Sequence, residues 1–302
     1  MYQVGEMIRR TRESLGISRK DLCDGICAVE TLCRIETGKR IPSRTNFQAL
    51  MERMGKNGEK YFPLIHGDMD ILLKKKELNL LLTCRKYSEV EEKLIELEKL
   101  LEMNDTVNHQ FIVRMKALIN YKMGRISELE KRQQLIKALK YTIPYYEDDT
   151  MPNGVFSRLE VMIICNIAVS YAEEGILTKA ISLLKQEAEY FDRTHIDMEE
   201  RALSEVFVLT SLAHCLGLNN NIREAIEIDE KIVKLCIDFR KSSILSEVLY
   251  DIAYGYERLN ENEEYSRTKF EQAYYIAELN NDSRMMQHIK RHIASTCCAN
   301  NV

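Results

Sequence analysis

The segment from Gly25 to Arg40 constrains the structure and function of this chain more than any other. Ala28, Leu32 and Ile35 recur at the i, i+4 and i+7 spacing that places three side chains on one face of a helix. The sequence therefore predicts a short helix with a narrow buried face and small or charged residues on its opposite side. The residues predicted on that opposite side are Val29, Glu30, Cys33 and Arg34.

A glycine and a basic cluster follow this helix. Gly38 is expected to end it, because a residue without a Cβ atom readily adopts the left-handed conformation that closes a helix C-terminus. Lys39, Arg40 and Arg44 come next, on either side of Pro42. A short helix with an exposed polar face and basic residues just past its end suits insertion into the major groove of DNA.

Further short helices are expected before and after this one, giving five in residues 1–66. Their boundaries follow from helix-capping and helix-breaking residues. The first ends at Gly16, the second covers about residues 19–25 behind an N-cap at Ser18, the fourth starts at Pro42–Ser43, and the fifth contains Tyr61 and Phe62. A different pattern, of long amphipathic helices, begins at Gly67–Asp68.

The pattern Ile26-Cys27, followed by Leu32-Cys33-Arg34-Ile35-Glu36-Thr37-Gly38-Lys39-Arg40, resembles the recognition helix of XRE-type helix-turn-helix domains, which are related to phage repressors. Its spacing is most similar to that of peptide-pheromone-responsive regulators of Gram-positive bacteria, the Rgg/Rap/NprR/PlcR/PrgX group. The resemblance implies an all-α protein with two domains. A five-helix, phage-repressor-like DNA-binding domain in residues 1–66 would precede a tetratricopeptide-like helical-repeat solenoid in residues 67–302.

Side-chain chemistry suggests how the outer side of the recognition helix would contact bases. Arg34 can donate a bidentate pair of hydrogen bonds to guanine, and Glu30 can accept one from a cytosine amino group. Val29 can contact a thymine methyl group, and Thr31 lies at the margin of the same face. The alternative is that Arg34 pairs with a neighbouring carboxylate and that Glu30 is merely solvated.

Other residues are expected to position the protein on DNA without contacting bases. By the resemblance, Arg19 occupies the place where related domains often carry a Gln that touches phosphate. Glu36 is expected to pair with an arginine of the first helix, because phosphate would repel its charge. The expected backbone contacts are Lys39, Arg40, Ser43 and Arg44.

Charge is unevenly distributed along the chain. Residues 1–66 carry 12 Lys and Arg against 8 Asp and Glu, whereas the remainder carries 31 against 39. This asymmetry directs double-stranded DNA to the N-terminal part and away from the rest. Because one such domain neutralises few phosphates, we expect a homodimer, with part of residues 67–302 supplying the interface.

Residues 67–302 contain a repeated pattern. In five places a small or apolar residue is followed twelve positions later by a second one, with a turn between them. The five pairs are Leu78/Val90, Ala117/Leu129, Ala168/Ala180, Ala213/Ala225 and Ala253/Tyr265, and the turn positions are Arg85, Gly124, Gly175, Asn220 and Asn260. The pattern resembles the tetratricopeptide repeat and predicts five helix pairs. A capping helix is predicted near Ser283–Ser295, and a long, mobile loop over Tyr145–Gly154.

The resemblance to tetratricopeptide repeats implies a concave groove lined by the first helix of each pair. Amides there could hydrogen-bond the main chain of an extended peptide, cations could hold a carboxylate, and aromatic residues could form pockets. Equally, the aromatic residues could pack in the core, and the asparagines could bond between helices. The predicted peptide-binding residues are Lys75, Asn79, Arg114, Asn120, Tyr121, Lys122, Asn166, Phe207, Thr210, His214, Tyr250 and Tyr254.

Composition argues against several other classes of protein. No apolar run approaches the ~18–20 residues that span a bilayer, and the N-terminus lacks a secretion signal, so a cytoplasmic location is expected. The nine cysteines are expected to be reduced and mostly buried. No Gly-rich phosphate loop, catalytic triad or zinc-ligand set is found, so no enzyme activity, metal or cofactor is expected. His288 and His292 are expected to be a solvated pair.

The leading hypothesis is a DNA-binding transcription regulator, acting as a quorum-sensing receptor whose repeats dimerise and bind a short signalling peptide. One alternative keeps the DNA-binding domain but has the repeats bind a protein partner. Another makes the protein a thiol redox sensor, with Cys23, Cys27 and Cys33 or the tail pair Cys297 and Cys298 as the candidate thiols.

Overall fold

A computed structural model describes residues 2–58, 69–148, 150–239 and 242–299. Within these ranges the chain is built from fifteen helices and no strand, which confirms the predicted all-α fold. The chain forms two compact units, residues 1–204 and 205–302. The helices are α1 (Tyr2–Ser14), α2 (Arg19–Cys23), α3 (Val29–Glu36), α4 (Arg44–Arg53), α5 (Met69–Thr83), α6 (Tyr87–Glu98), α7 (Thr106–Lys122), α8 (Glu128–Leu139), α9 (Arg158–Glu173), α10 (Leu177–Arg193), α11 (Met198–Leu218), α12 (Ile222–Asp238), α13 (Leu245–Leu259), α14 (Glu263–Leu279) and α15 (Ser283–Ala299).

Helices α1 to α4, here called the N-terminal bundle, surround one apolar core. Ile8 of α1, Leu22 of α2, Leu32 of α3 and Phe47 of α4 are fully buried in it. Each such side chain contributes about 1.5–3 kcal/mol through the apolar surface it removes from water. Val107 of α7 belongs to the same core, so the bundle packs directly onto the first repeats.

The predicted boundaries of the bundle helices are largely confirmed. Ser18 accepts a hydrogen bond from the Asp21 amide at 3.1 Å, and Ser43 caps α4 in the same way. Gly38 has φ +73° and ends α3 as expected. The second helix is shorter than predicted, because Gly25 already has φ +67° and the chain turns there. The predicted fifth helix at Tyr61 and Phe62, and the Gly67–Asp68 boundary, lie outside the described residues.

Helices α5 to α14 form five consecutive helix pairs, as the repeat pattern predicts, and α15 follows them. All five predicted turn positions adopt the left-handed conformation that ends a helix. Their φ values are +58° at Arg85, +70° at Gly124, +84° at Gly175, +64° at Asn220 and +53° at Asn260. The repeats therefore share one turn geometry, whether or not the turn residue is glycine.

In two of the five repeat pairs, the second predicted residue is not the one that is buried. Leu129 is 48% exposed, and Lys131, two residues later, is buried in its stead. In the last pair the buried residue is Ser266, whose Oγ donates to the Ala253 carbonyl oxygen at 2.8 Å. The turn before α8 covers residues 123–127 and is longer than in the other pairs, and α14 begins three residues after its left-handed turn position, Asn260, whereas α6, α10 and α12 begin two residues after theirs. The inward positions of α8 and α14 therefore move along the sequence.

The long connection between α8 and α9 is confirmed, but aromatic side chains anchor it. Tyr146 and Phe156 are 2% and 4% exposed. The Phe156 amide donates to the Tyr190 hydroxyl of α10 at 3.1 Å. This connection is therefore held to unit 1 at these residues, in contrast to the expected mobile loop.

The longest helix, α11, carries an apolar stretch that sequence inspection missed. Glu200–Leu218 is long and apolar enough to cross a membrane by length and composition alone, so the expectation that no run approaches this length was wrong. More than half of that stretch, 56%, is buried inside the protein, as in the core helix of a protein that never enters a bilayer. One such helix is weak evidence for a membrane span.

Candidate functional site

The outer face of α3 is exposed where the sequence predicts it. Val29 is 41% exposed, and Glu30 and Arg34 are exposed with it. Thr31 is half-buried at the margin. Leu32, on the opposite face, is fully buried in the bundle core. We call Val29, Glu30, Thr31 and Arg34 the α3 outer face; it is free of the bundle core.

Basic residues flank this face, but not all of those predicted. Lys39 and Arg40 are exposed in the turn after α3. Ser43 is half-buried, and its hydroxyl accepts a hydrogen bond from the Asn46 amide at 3.1 Å. Arg44 differs from the expectation: it is only 9% exposed, because it lies on the packed side of α4.

Glu36 fixes the orientation of α3 from inside the bundle. Its side chain is fully buried and accepts hydrogen bonds from Arg12 Nε at 2.7 Å and from Arg19 Nε at 2.6 Å. The prediction that Glu36 pairs with a first-helix arginine is confirmed. The hydrogen bond to Glu36 also raises the pKa of Arg19, whose side chain remains 40% exposed. Arg19 is thus held in one position at the start of α2.

A buried ion pair joins the N-terminal bundle to α9. Arg53, at the end of α4, is 3% exposed, and its Nη2 donates to Glu160 Oε1 at 2.5 Å. The same guanidinium donates to the carbonyl oxygens of Leu22 and Asp24, which precede α3, at 3.1 and 2.6 Å. Burial alone would raise the pKa of Glu160, but the charge and hydrogen bonds of Arg53 lower it overall. Sequence reasoning missed this pair, because 107 residues separate its members.

A second polar contact lies beside the first. Arg158 donates from Nε and Nη2 to the two carboxylate oxygens of Glu200, both at 2.7 Å. Its backbone amide donates to Glu52 Oε2 of α4 at 2.9 Å, and Gln48 donates to Glu52 Oε1 at 2.8 Å. Burial raises the pKa of Glu52. Together with the Arg53 pair, these bonds hold α4 against α9 within unit 1.

Backbone contacts complete this docking. Thr106 Oγ1 of α7 donates to the Gly25 carbonyl oxygen at 2.7 Å. A Cβ at Gly25 would lie 2.1 Å from the Thr142 carbonyl oxygen, so only glycine permits the approach. The Asp197 amide donates to the Gly55 carbonyl oxygen at 2.6 Å. Within unit 1 the bundle is therefore seated on α7, on α9 and on the segments that follow α8 and α10.

A cavity of about 190 Å³ lies where α4 meets the first helices of the repeats, and we call it the junction cavity. It brings together three predicted peptide-binding residues, Lys75 and Asn79 of α5 and Arg114 of α7. Its lining residues are Thr45, Gln48, Ala49, Glu52, Leu72, Lys75, Lys76, Asn79, Val107, Phe111, Arg114, Ser157, Arg158, Leu159 and Met162. The contribution of α4 to this cavity was not predicted, because the sequence gives no register between the bundle and the repeats.

Two cations of the junction cavity are held by neutral groups. Arg114 is 4% exposed, and its Nε donates to Asn166 Oδ1 at 3.0 Å. Burial lowers the pKa of Arg114 to about 10. Lys75 Nζ donates to Asn108 Oδ1 at 3.0 Å and lies 4.8 Å from the centroid of the Phe111 ring. Burial likewise lowers the pKa of Lys75 to about 8, although the negative charges of Glu52 and Asp105 act in the opposite direction.

The other predicted residues of α7 lie away from the junction cavity. Tyr121 stacks under Lys131 Nζ, 3.9 Å from its ring centroid, and under Lys122 Nζ at 5.2 Å. Asn120 Oδ1 accepts from Arg125 Nη1 at 3.4 Å. These three predicted residues, Asn120, Tyr121 and Lys122, make local contacts at the end of the helix.

The remaining predicted residues belong to unit 2. Phe207 and Thr210 of α11 are half-buried, and His214 is exposed. Tyr250 stacks on Tyr254, with 6.2 Å between ring centroids. Both tyrosines lie on α13.

Two histidines of α15 complete the Tyr250 cluster. His288 and His292 have ring centroids 4.7 and 5.5 Å from that of Tyr250. His292 Nε2 also lies 2.7 Å from Glu257 Oε2. The expectation of a solvated histidine pair is therefore wrong for His292, whose ring packs against α13.

No disulfide links the cysteines that the structure describes. Cys23, Cys165, Cys215 and Cys236 are buried and form no disulfide, and Cys84 is an exposed free thiol. Among the residues that the structure describes, no three His, Cys, Asp or Glu side chains group together as metal ligands would.

The fold and this site define a class: an N-terminal helix-turn-helix bundle with an exposed third helix, docked on helical repeats. A helix-turn-helix family model matches residues 8–60, and the model of the RNPP family C-terminal domain matches residues 75–292. The chain belongs to the RNPP family.

Solved structures support the same fold. Bacillus thuringiensis PlcR in complex with the peptide PapR7 and DNA aligns with a TM-score of 0.65 and 20% identity, over 96% of this chain and 99% of that one. ComR from S. thermophilus in complex with DNA and its signalling peptide ComS aligns with a TM-score of 0.53 and 17% identity, over 97% and 99%. The apo form of ComR from Streptococcus vestibularis gives 0.53 and 15%, over 97% and 98%. No curated protein sequence matches significantly.

Proposed function

We propose that this protein is a DNA-binding transcription regulator controlled by a short signalling peptide. The observation that carries the DNA-binding part is the α3 outer face, which is exposed while the opposite side of α3 forms the bundle core. Its helix is the third of the bundle, in the segment matched by the helix-turn-helix model. PlcR and ComR, which share the fold, have been solved with DNA and a peptide.

The proposed DNA contacts divide into two groups by chemistry. Arg34, Glu30 and Val29 would contact base edges in the major groove, with Thr31 at the margin. Lys39, Arg40, Arg19 and Ser43 would contact phosphates, which fixes the position of α3 without selecting a sequence. Arg44 is left out because it is buried. Since one bundle neutralises few phosphates, the functional form is proposed to be a homodimer. Its proposed location is the cytoplasm.

The proposed domain boundary lies between residues 66 and 67. The repeats that follow it would bind the peptide and form the dimer. The junction cavity supports a ligand site in unit 1, since it places apolar surface beside the cations Lys75 and Arg114. A peptide that binds one arrangement of the repeats more tightly than another would shift the population of arrangements and thereby change DNA affinity. This role is regulatory rather than catalytic.

The test measures the affinity of the full-length protein for a fluorescent duplex selected from a random pool. The affinity is measured while fractionated short peptides from the native culture medium are titrated in. We expect one fraction to change the affinity for the selected duplex, and that fraction to bind saturably without DNA. Saturable binding of a protein partner in place of any peptide would contradict the peptide response. Equal affinity for selected and random duplexes would contradict sequence-specific DNA binding.

A further inference from the structure

Two cysteines lie side by side at the turn that leads into α3. Cys23 is the last residue of α2 and is 1% exposed, whereas Cys27 is half-buried and packs against the same apolar core. The Cys27 amide donates to the Cys23 carbonyl oxygen at 3.0 Å, which closes the turn between them. The hydrogen bond between the two side chains lowers the pKa of Cys23 and raises the pKa of Cys27. The first proton is therefore lost by the pair as a whole, and the resulting thiolate lies next to the second thiol.

The backbone on both sides of Cys23 is fixed in place. Arg53 of α4 donates to the carbonyl oxygens of Leu22 and Asp24, at 3.1 and 2.6 Å. A covalent bond is shorter than a hydrogen-bonded contact, so a disulfide would draw the two sulfurs together. Because the backbone around Cys23 is held, that movement falls on Cys27.

Movement at Cys27 reaches the α3 outer face directly. The next residue, Ala28, is the N-cap residue of α3 and gives the helix no side-chain cap. Val29 and Glu30 of the α3 outer face follow at once. The opposite end of the helix is fixed, because buried Glu36 is paired with two arginines. A shift at Cys27 therefore tilts α3 about its C-terminal end.

We infer that Cys23 and Cys27 are a modification site, where a hydroperoxide forms a reversible disulfide that tilts α3 and weakens DNA binding. The effect on DNA rests on the proposed function, in which α3 contacts bases. In a cytoplasmic protein such a bond would be transient, because reducing systems reverse it.

The reaction proceeds in two steps. The half-buried Cys27 is the member of the pair that an oxidant reaches first, and its thiolate attacks the peroxide oxygen. The oxygen–oxygen bond breaks, which leaves a sulfenic acid on Cys27 and releases one water. The Cys23 thiolate then attacks that sulfur, and the sulfenic hydroxyl leaves as a second water. Two thiols and one hydrogen peroxide thus give one disulfide and two waters.

The experiment oxidises the full-length protein with hydrogen peroxide, as wild type, as Cys27→Ser and as the control Cys33→Ser. Cys33 is a matched control because it is also half-buried and lies on α3 itself. Trypsin releases residues 21–34 as one peptide, which in Cys33→Ser contains only the two cysteines of the pair. Mass spectrometry should show that this peptide loses two hydrogens on oxidation and regains them with dithiothreitol.

The effect on DNA is read as the affinity for the selected duplex. Oxidation should weaken the binding of wild type and of Cys33→Ser at least about fivefold, the value of one displaced base contact. Dithiothreitol should restore the affinity of both. Cys27→Ser should bind equally well before and after oxidation, because the pair cannot form.

A peptide that loses no hydrogens, or a disulfide that links two molecules on a non-reducing gel, overturns the site. An internal disulfide that leaves the affinity for the selected duplex unchanged, or an equal loss of affinity in Cys27→Ser, overturns the tilt of α3. Equal affinity of the reduced protein for selected and random duplexes removes the effect on DNA together with the proposed function. The mass measurement needs no DNA, so it judges the disulfide separately.

Discussion

Replacing Arg53 by Met should unseat the N-terminal bundle from α9. The substitution keeps an unbranched apolar stem but removes the guanidinium that pairs with Glu160, which is itself 1% exposed. Removing one partner of a buried ion pair costs about 3–5 kcal/mol, because the other charge is left uncompensated. The carbonyl oxygens of Leu22 and Asp24 lose donors as well, each worth about 1 kcal/mol. Some of this cost is offset because Glu160 keeps the Ser157 amide at 2.6 Å.

The assay is urea denaturation of the full-length chain, with the free energy of unfolding obtained by linear extrapolation. We expect Arg53→Met to lower this free energy by about 4 kcal/mol. The double variant Arg53→Met with Glu160→Gln should recover at least about 2 kcal/mol of it, because the buried charge is gone. The control is Lys56→Met, which breaks a more exposed bundle contact, Lys56–Asp197 at 2.5 Å, and should cost less than about 1 kcal/mol.

The pH dependence gives the same argument a second test. Arg53 lowers the pKa of Glu160 in the folded protein, so the pair stabilises the fold above the ordinary carboxyl pKa and loses that contribution as the pH falls through the folded value. Arg53→Met should remove this acid-dependent part. A loss below about 1 kcal/mol, or no recovery in the double variant, would refute the claim that this pair holds the bundle in place.

Two further substitutions test the packing of each unit. Gly25→Ala should lower the free energy of unfolding by about 3 kcal/mol, because of its left-handed backbone and the clash with Thr142. Gly16 has the same φ of +67° but lies in open space, so Gly16→Ala should lower it by only about 1–2 kcal/mol. Urea denaturation measures both, and equal losses would contradict the close approach at Gly25. Burial, and secondly the charge of Asp251, raises the pKa of Asp229 to about 8. The protonated Asp229 therefore stabilises the fold fully below about pH 4, and this stabilisation is lost as the pH rises to 8, at up to about 1.4 kcal/mol per pH unit. Asp229→Asn should flatten the free energy of unfolding between pH 5 and 8, and an unchanged slope would show that Asp229 does not titrate there.

Local features were predictable from the sequence because they depend on neighbours along the chain. Glycines and asparagines that follow an amphipathic segment mark helix ends, and Arg85 could be added because it shares their position in the repeat. The exposure of Arg34 follows from the burial of Leu32 on the other face of a short helix. Such arguments need no knowledge of which helices touch.

Features that depend on docking were not predictable. Arg53 and Glu160 each occur in a helix among many other charged residues, and no periodicity links positions 107 residues apart. The shift from Leu129 to Lys131 arises because a longer turn delays the start of α8, and only the coordinates show where that helix begins. Repeat patterns therefore gave the number of helix pairs but not the inward residue of every helix.

The sequence could place Lys75, Asn79 and Arg114 on one surface through the repeat register, and the structure brings them together in the junction cavity. It could not show that α4 forms part of that cavity. The role of these three residues in peptide binding remains a prediction, as do the other predicted peptide-binding residues and the DNA contacts.

We expect the α3 outer face to select a DNA sequence. The most direct measurement is the ratio of affinities for a duplex selected from a random pool and for an unselected duplex, in the wild type, in Arg34→Ala and in Lys39→Ala. Removing a base-contacting arginine should cost about 1–3 kcal/mol on the selected duplex alone, so Arg34→Ala should collapse the ratio, whereas Lys39→Ala should weaken both duplexes alike. An Arg34→Ala variant that keeps the wild-type ratio would contradict the assignment of this face to DNA.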